Sequence, residues 1–382
     1  MTMLLRDGRV VTPEGVLDDG WVAVDGERIA AVGSGPAPEE HTRGEVVDLA
    51  GQWVVPGFVD IHCHGGGGAS FGSADPEQVI AAVAAHRAHG TTTMLASLVT
   101  EPIPELARQV AVLAELAEDG VVAGVHLEGP FLAAARCGAH DPALLRPPAR
   151  DDVRTLLDAG RGAVRMCTLA PELDNAVEAV RQLVDHGVIA AVGHTDATEA
   201  QVRPAVDAGA TVATHLFNGM RPLHHREPGP IGALLDDERV TVELICDLVH
   251  LAPTVVRLAA RHAGAGRTVL VTDAISATGA GDGSYRLGDL EVTVRGGEPR
   301  LADGSLAGST LTMDAAFRNL VRSCGLSVVD AAWASATRPA ALLGLAERTG
   351  AVRAGLAADL VVLDADLRPT QVLHRGAPVP RP

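Results

Sequence analysis

Through its middle, the chain alternates short apolar runs with longer amphipathic stretches. The runs are rich in Val, Ile, Leu and Thr: 54–61, 91–99, 121–127, 163–169, 188–192, 211–216, 240–245 and 268–272. Several are apolar without a two-residue period, as expected of strands covered on both faces. Between them, apolar positions recur at helical spacing. Asp75-Pro76-Glu77 supplies an N-cap, a first-turn proline and a first-turn acid for a helix running to Gly90. Further helices are predicted over 104–120, 172–187, 198–209, 231–239 and 253–264, that over 172–187 stopped by His186-Gly187. The eight strands with these intervening helices predict an α/β fold, a (β/α)8 TIM-type barrel over residues 55–352.

The flanks follow a different rule. Residues 1–54 alternate and turn often, as in Trp21-Val22-Ala23-Val24-Asp25-Gly26. The tail offers two further strands, 360–363 and 370–373. Together, 1–54 and 353–382 predict one small β-sandwich domain built from both termini. A β-hairpin insertion is expected near 284–303, with its turn at Gly296-Gly297.

Composition narrows the chemistry. All 31 basic residues are arginine, since no lysine occurs in the 382 residues. That excludes a Schiff-base lysine, a phosphate-binding G-K-[ST] loop and a metal centre bridged by carbamylated lysine. The net charge of −17 argues against nucleic acid and anionic membrane as partners. No apolar stretch approaches the roughly 20 residues of a spanning helix, and Met1 to Val10 does not read as a signal peptide. The five cysteines are scattered and never spaced C-x-x-C, so a reducing, cytoplasmic setting is expected.

Barrel enzymes carry their chemistry at the C-terminal ends of the strands. Here the first run ends in His62-Cys63-His64, the third in His126-Leu127-Glu128, the fifth in Gly193-His194, the sixth at His215 and the eighth at Thr272-Asp273. In extended chain His62 and His64 face the same way. Imidazoles and carboxylates converging from five strands predict a divalent metal centre for Zn²⁺ or Fe²⁺, which would activate a water for hydrolysis.

These features resemble the amidohydrolase superfamily: H-x-H after strand one, His at strands five and six, Asp at strand eight, and a β domain made from both termini. More narrowly, the sequence is similar to the N-acetylglucosamine-6-phosphate deacetylases over essentially its full length. The strings that carry this are 126–130 (HLEGP), 193–195 (GHT), 214–220 (THLFNGM), 226–229 (REPG), 247–250 (DLVH), 271–274 (VTDA) and 306–309 (LAGS). Relatives that use a carbamylated lysine on strand four are set apart by the absence of lysine; in the deacetylases a strand-three glutamate takes that place.

The resemblance implies a division of roles. Glu128, His194 and His215 would bind the ion that activates water, and His62 with His64 would complete a second site, so one or two ions per subunit are expected. Asp273 would take the proton from the water and return it to the leaving amine. Ala139, His140, Asn218, Gly219, His250, Leu306, Ala307 and Gly308 would contact substrate, with Arg226 as the phosphate ligand. A neighbouring subunit contributes to the phosphate site in the family, so a homodimer is expected. The implied partner is a small amino-sugar phosphate. Alternatives are a related hydrolase of another N-acylated sugar phosphate or N-acyl amino acid, and a catalytically inactive binding protein. The intact ligand and acid–base set opposes the last.

Overall fold

In the computed structural model, residues 2–380 are described. Eight strands form one sheet ordered strictly by sequence. They are Phe58–Asp60, Thr91–Leu98, Gly124–Glu128, Val164–Leu169, Ile189–Val192, Val212–Ala213, Thr241–Ile245 and Thr268–Val271. Every resolved neighbour pairing from the second strand onward is parallel. The sheet closes just beyond its last strand. Asp273 N–H donates to the His62 carbonyl at 2.8 Å, and His64 N–H donates to the Ala274 carbonyl at 2.8 Å. These strands are almost wholly buried, which accounts for runs that are apolar without alternation.

A helix follows each strand: Pro76–Ala88, Ile103–Glu118, Arg150–Gly160, Ala176–Asp185, Glu199–Asp207, Gly229–Asp236, Pro253–Ala263 and Met313–Arg322. The expected (β/α)8 architecture is thus present. The pattern had not singled out Arg150–Gly160, whose helix begins after the proline-rich stretch 147–148 and carries three acids and two arginines on its outer side. The long apolar run predicted over 54–61 is two strands. Trp53–Pro56 belongs to a different sheet, and Gly57 separates it from Phe58–Asp60. The insertion near 284–303 has three antiparallel strands rather than two: Gly283–Leu287, Leu290–Arg295 and Glu298–Arg300. Its second turn is the expected Gly296-Gly297, and both glycines have positive φ.

Both ends of the chain build the other eight-stranded sheet. Its order is 377–378, 369–374, 360–363, 53–56, 2–12, 15–25, 28–34, with 45–48 paired to 2–12. The sheet branches at Thr2–Thr12, which pairs with 45–48 through Met3–Arg6 and with 53–54 through Arg9–Val10. Alternation sorts its residues onto two faces. Met3, Leu5, Val22 and Val24 enter one apolar cluster, while Leu4, Trp21 and Ala23 enter another.

The chain divides into two compact units, residues 2–60 with 86–93 and 312–380, and residues 61–85 with 94–311. Every candidate site residue lies in the second. No helix among the described residues is long and apolar enough to cross a membrane.

Candidate metal centre

Three of the strand-end residues leave the strand through a left-handed backbone: His194 at φ 46°, His215 at φ 27° and Asp273 at φ 50°. Such values are uncommon outside glycine and are strained. They let the chain turn away sharply while the side chain stays over the barrel axis. His62 and His64 remain in extended chain beyond their strand, with Cys63 bridged to Ala274. Cys63 points elsewhere, its thiol near the carbonyls of Gly65 and Ala274.

The result is a buried cluster around Glu128. Its Oε1 lies 2.9 Å from His215 Nε2, 3.1 Å from His194 Nε2 and 3.4 Å from His62 Nε2. Its Oε2 lies 3.1 Å from His64 Nε2 and 3.5 Å from His140 Nε2. Asp273 Oδ1 stands 3.3 Å from His64 Nε2 and 3.5 Å from His62 Nε2.

Protons already committed elsewhere decide what this cluster can hold. His194 Nδ1 lies 2.8 Å from the Arg136 carbonyl, an acceptor only, so Nδ1 carries the proton and Nε2 presents a lone pair to Glu128. His62 Nδ1 lies 3.2 Å from Glu243 Oε2, so Nε2 is the nitrogen it turns to Glu128 and Asp273, where it holds a proton that an ion can replace. Imidazole nitrogens converging on a carboxylate call for positive charge between them. Donors of one tetrahedral ion at zinc-like bond lengths lie roughly 3.3 Å apart. The 2.9–3.1 Å separations among Glu128 Oε1, His194 Nε2 and His215 Nε2 are close to that. The set therefore fits a divalent metal, and His62, His64, Glu128 and Asp273 gather as a second group of donors.

Electrostatics point the same way. Burial opposes charge on His62, yet Glu128 and Asp273 outweigh it and hold the imidazole well above its ordinary range. His64, equally buried, is raised to about 9 by hydrogen bonds to Asp273 and Glu128. Burial would raise Glu128, but the surrounding imidazoles, His62 foremost, hold it well below the usual carboxylate range. Asp273 is likewise brought to about 2 against burial, by His62 and His64. The site stabilises positive charge among its carboxylates.

A cavity of about 340 Å³ opens over this cluster. Its wall includes His64, Glu128, His194, His215 and Asp273, and also Ala139, His140, Asn218, Gly219, His250, Leu306 and Gly308. Two predicted contacts are not in that wall. Ala307 is fully buried, packed with Ile275, Leu287 and Val292, so its side chain faces the apolar cluster. Arg226 lies on an exposed turn, its guanidinium 2.7 Å from His225 Nε2. Within one chain the structure does not bring Arg226 to the metal centre. His140 reaches the cavity because Thr100 pins its Nδ1 at 2.9 Å, and burial pushes its pKa down to about 4.

Three residues enter that the sequence had not singled out. Glu243 lies in the seventh strand beneath His62 and His215; the signal for it was a lone charge within an apolar run. Asp247 holds His250 Nδ1 at 2.7 Å, three residues away in the string already noted. His126 hydrogen-bonds to Ser97 Oγ at 2.9 Å and Thr168 Oγ1 at 2.8 Å. Burial keeps it well below its ordinary pKa, so it is a neutral support lying edge-on to His62 at a ring separation of 4.5 Å.

Comparison with known proteins places this geometry. The amidohydrolase family model matches residues 53–378. The N-acetylglucosamine-6-phosphate deacetylase of Bacillus subtilis (strain 168) is 35% identical over 382 residues, covering 98% of this chain and 96% of its own. The N-acetylgalactosamine-6-phosphate deacetylase of Escherichia coli O157:H7 is 37% identical, covering 98% and 99%. Among solved structures, an N-acetyl-D-glucosamine-6-phosphate deacetylase from Mycobacterium smegmatis superposes with a TM-score of 0.95 at 48% identity, covering 99% of both chains. That structure is of an Asp-to-Ala mutant in complex with N-acetyl-D-glucosamine 6-phosphate. The chain belongs to the amidohydrolase family, among its N-acetylhexosamine-6-phosphate deacetylases.

Proposed function

We propose that this chain hydrolyses N-acetyl-D-glucosamine 6-phosphate to D-glucosamine 6-phosphate and acetate. The observation that carries the reading is the placement of Asp273. Its Oδ1 is 3.3 Å from His64 Nε2, and it shares one cavity wall with Glu128, His194 and His215. An acid–base carboxylate thus adjoins the donors of a metal-activated water.

Glu128, His194 and His215 would hold one divalent ion, with His62 and His64 available to a second. The imidazole and carboxylate donors suit Zn²⁺ or Fe²⁺. Bound there, the ion supplies an acidified water and polarises the amide carbonyl. Asp273 accepts the proton of the attacking water on Oδ1 and delivers it to the amide nitrogen, which otherwise leaves poorly. Its lowered pKa keeps it ionised and ready as a base. His250, oriented through Nδ1 by Asp247, turns its other nitrogen to the substrate and donates to the developing oxyanion or the acetamide. Asn218, the backbone of Gly219, Leu306 and Gly308 contact the sugar.

Arg226 suits phosphate as a permanently charged fork. Since it is exposed and outside the cavity wall of its own chain, the reading gives it that role in a homodimer, serving the site of the neighbouring subunit. No disulfide joins the five cysteines, in keeping with the reducing, cytoplasmic setting proposed from their spacing.

A second substrate is favoured by one observation: the E. coli relative named for N-acetylgalactosamine 6-phosphate is 37% identical across nearly the whole chain. The two sugars differ only in configuration at one hydroxyl. Acetate release from each, with and without the 6-phosphate, separates the cases. The expected result is turnover of the phosphorylated glucosamine derivative, lost to a chelator and restored by Zn²⁺ or Fe²⁺. A higher kcat/KM for the galactosamine derivative would reassign the substrate. Equal turnover without phosphate would remove Arg226 from its role.

A further inference from the structure

We infer that Glu243 is a positioning residue that sets two histidines of the metal centre at once, one from each side of the barrel mouth. The inference rests on reading the cluster as a metal centre and adds a residue beyond the donor set.

Glu243 lies in the strand Thr241–Ile245 and has no exposed surface. Its Oε2 receives two hydrogen bonds. One comes from His62 Nδ1 at 3.2 Å, across a sequence separation of 181 residues. The other comes from the backbone N–H of His215 at 3.1 Å. The backbone carbonyl of Glu243 also accepts from Leu216 N–H at 2.9 Å. One residue therefore grips two consecutive amides where His215 turns through φ 27°, a conformation that persists only when its surroundings over-determine it. The same oxygen holds the Nδ1 proton of His62, which turns Nε2 toward Glu128 and Asp273, where an ion would take the place of its proton. The His62 and His215 rings stack with centroids 5.4 Å apart, so both orientations are referred to one carboxylate oxygen.

A purely structural role explains this residue poorly. Its second oxygen, Oε1, is buried with no hydrogen-bond partner among the described residues. An unpaired buried carboxylate oxygen costs stability, and an apolar side chain would suit the surrounding strand better. Partners that orient metal-ligating histidines change ion affinity by about 10- to 100-fold when altered.

Two variants separate reach from charge. Glu243→Gln keeps an acceptor where Oε2 lies and so keeps both bonds without the charge. Glu243→Asp keeps the charge but withdraws the carboxylate by one methylene. The measurement is Zn²⁺ affinity of the intact, stripped protein by competition with a chromogenic chelator, with circular dichroism to establish folding. Glu243→Gln is expected within about threefold of wild type, and Glu243→Asp 10- to 100-fold weaker. Should the Asp variant not fold, Glu243→Leu takes its place with the same expectation. Unchanged affinity in the folded Asp or Leu variant, or a Gln variant weaker than Asp, overturns the inference while the metal centre stands. A wild-type protein that binds no ion removes the metal reading and this inference with it.

Discussion

Asp359 and Glu128 are carboxylates of similar burial in different units of the chain, 5% and 3% exposed, and each meets histidine. Their surroundings differ in one respect. Asp359, leading into the strand Leu360–Leu363, accepts from His374 Nδ1 at 3.0 Å, Arg375 N–H at 2.9 Å and Thr349 Oγ1 at 3.0 Å. Each partner is a donor, and both oxygens are served. Glu128 faces five imidazole Nε2 atoms, and at least those of His62 and His194 have their proton committed on the other nitrogen. A buried carboxylate closed by donors holds a fold together. One ringed by imidazole nitrogens whose protons an ion can replace is half of a coordination site. Burial and histidine content alone do not separate the two; the placement of protons does.

The contrast can be broken most forcefully at Glu128. Glu128→Gln should reduce kcat/KM by roughly 10⁴-fold, several kcal/mol of transition-state stabilisation, and release bound metal. Metal analysis of the purified variant checks this; retained ion at wild-type stoichiometry would place the centre elsewhere. Next, Asp273→Asn should lower kcat by about 10³-fold while the ion stays bound, because its role is proton transfer. Loss of metal along with activity would make Asp273 a ligand instead.

In the terminal sheet the expectation reverses. Asp359→Ala should cost about 2–3 kcal/mol in denaturant unfolding, because three donors lose their acceptor, and should leave kcat within about twofold. A stability unchanged by this substitution would show that the closed network is not structural. The smallest effect is its pH dependence. Burial works to raise the pKa of Asp359, but His374, Arg375 and Thr349 outweigh it and hold it below the ordinary 3.8. A depressed folded pKa contributes stability that is full above the unfolded value and lost as pH falls through the folded one. The gap between wild type and Asp359→Ala should therefore be constant near neutrality and shrink only below about pH 4. A gap already closing at pH 6 would assign the titration to another group.

Much of the catalytic face could be read along the chain. The eight strand candidates overlap the eight barrel strands, and Glu128, His194, His215, His62, His64 and Asp273 meet in one cluster. This was legible because period and turn chemistry encode local structure, and a parallel barrel presents the C-terminal ends of all its strands on one side. Local pattern does encode the helix Arg150–Gly160, whose Val153, Leu156 and Leu157 keep helical spacing, although the prolines at 147–148 obscure its start. Arg226 carries the right chemistry in a family string, yet whether it reaches a cavity depends on where its turn projects.

What the sequence determined by itself was the set of reactive groups and the end of the barrel that bears them, because element type and strand direction follow from neighbouring residues. Only the tertiary structure decided which nitrogen of His194 and of His62 faces the site. That choice is made by the Arg136 carbonyl for His194 and by Glu243 for His62, partners 58 and 181 residues away. Ring closure puts these groups within a hydrogen bond's length. Since a hydrogen bond is short and directional while sequence separation is neither, no pattern along the chain could announce it.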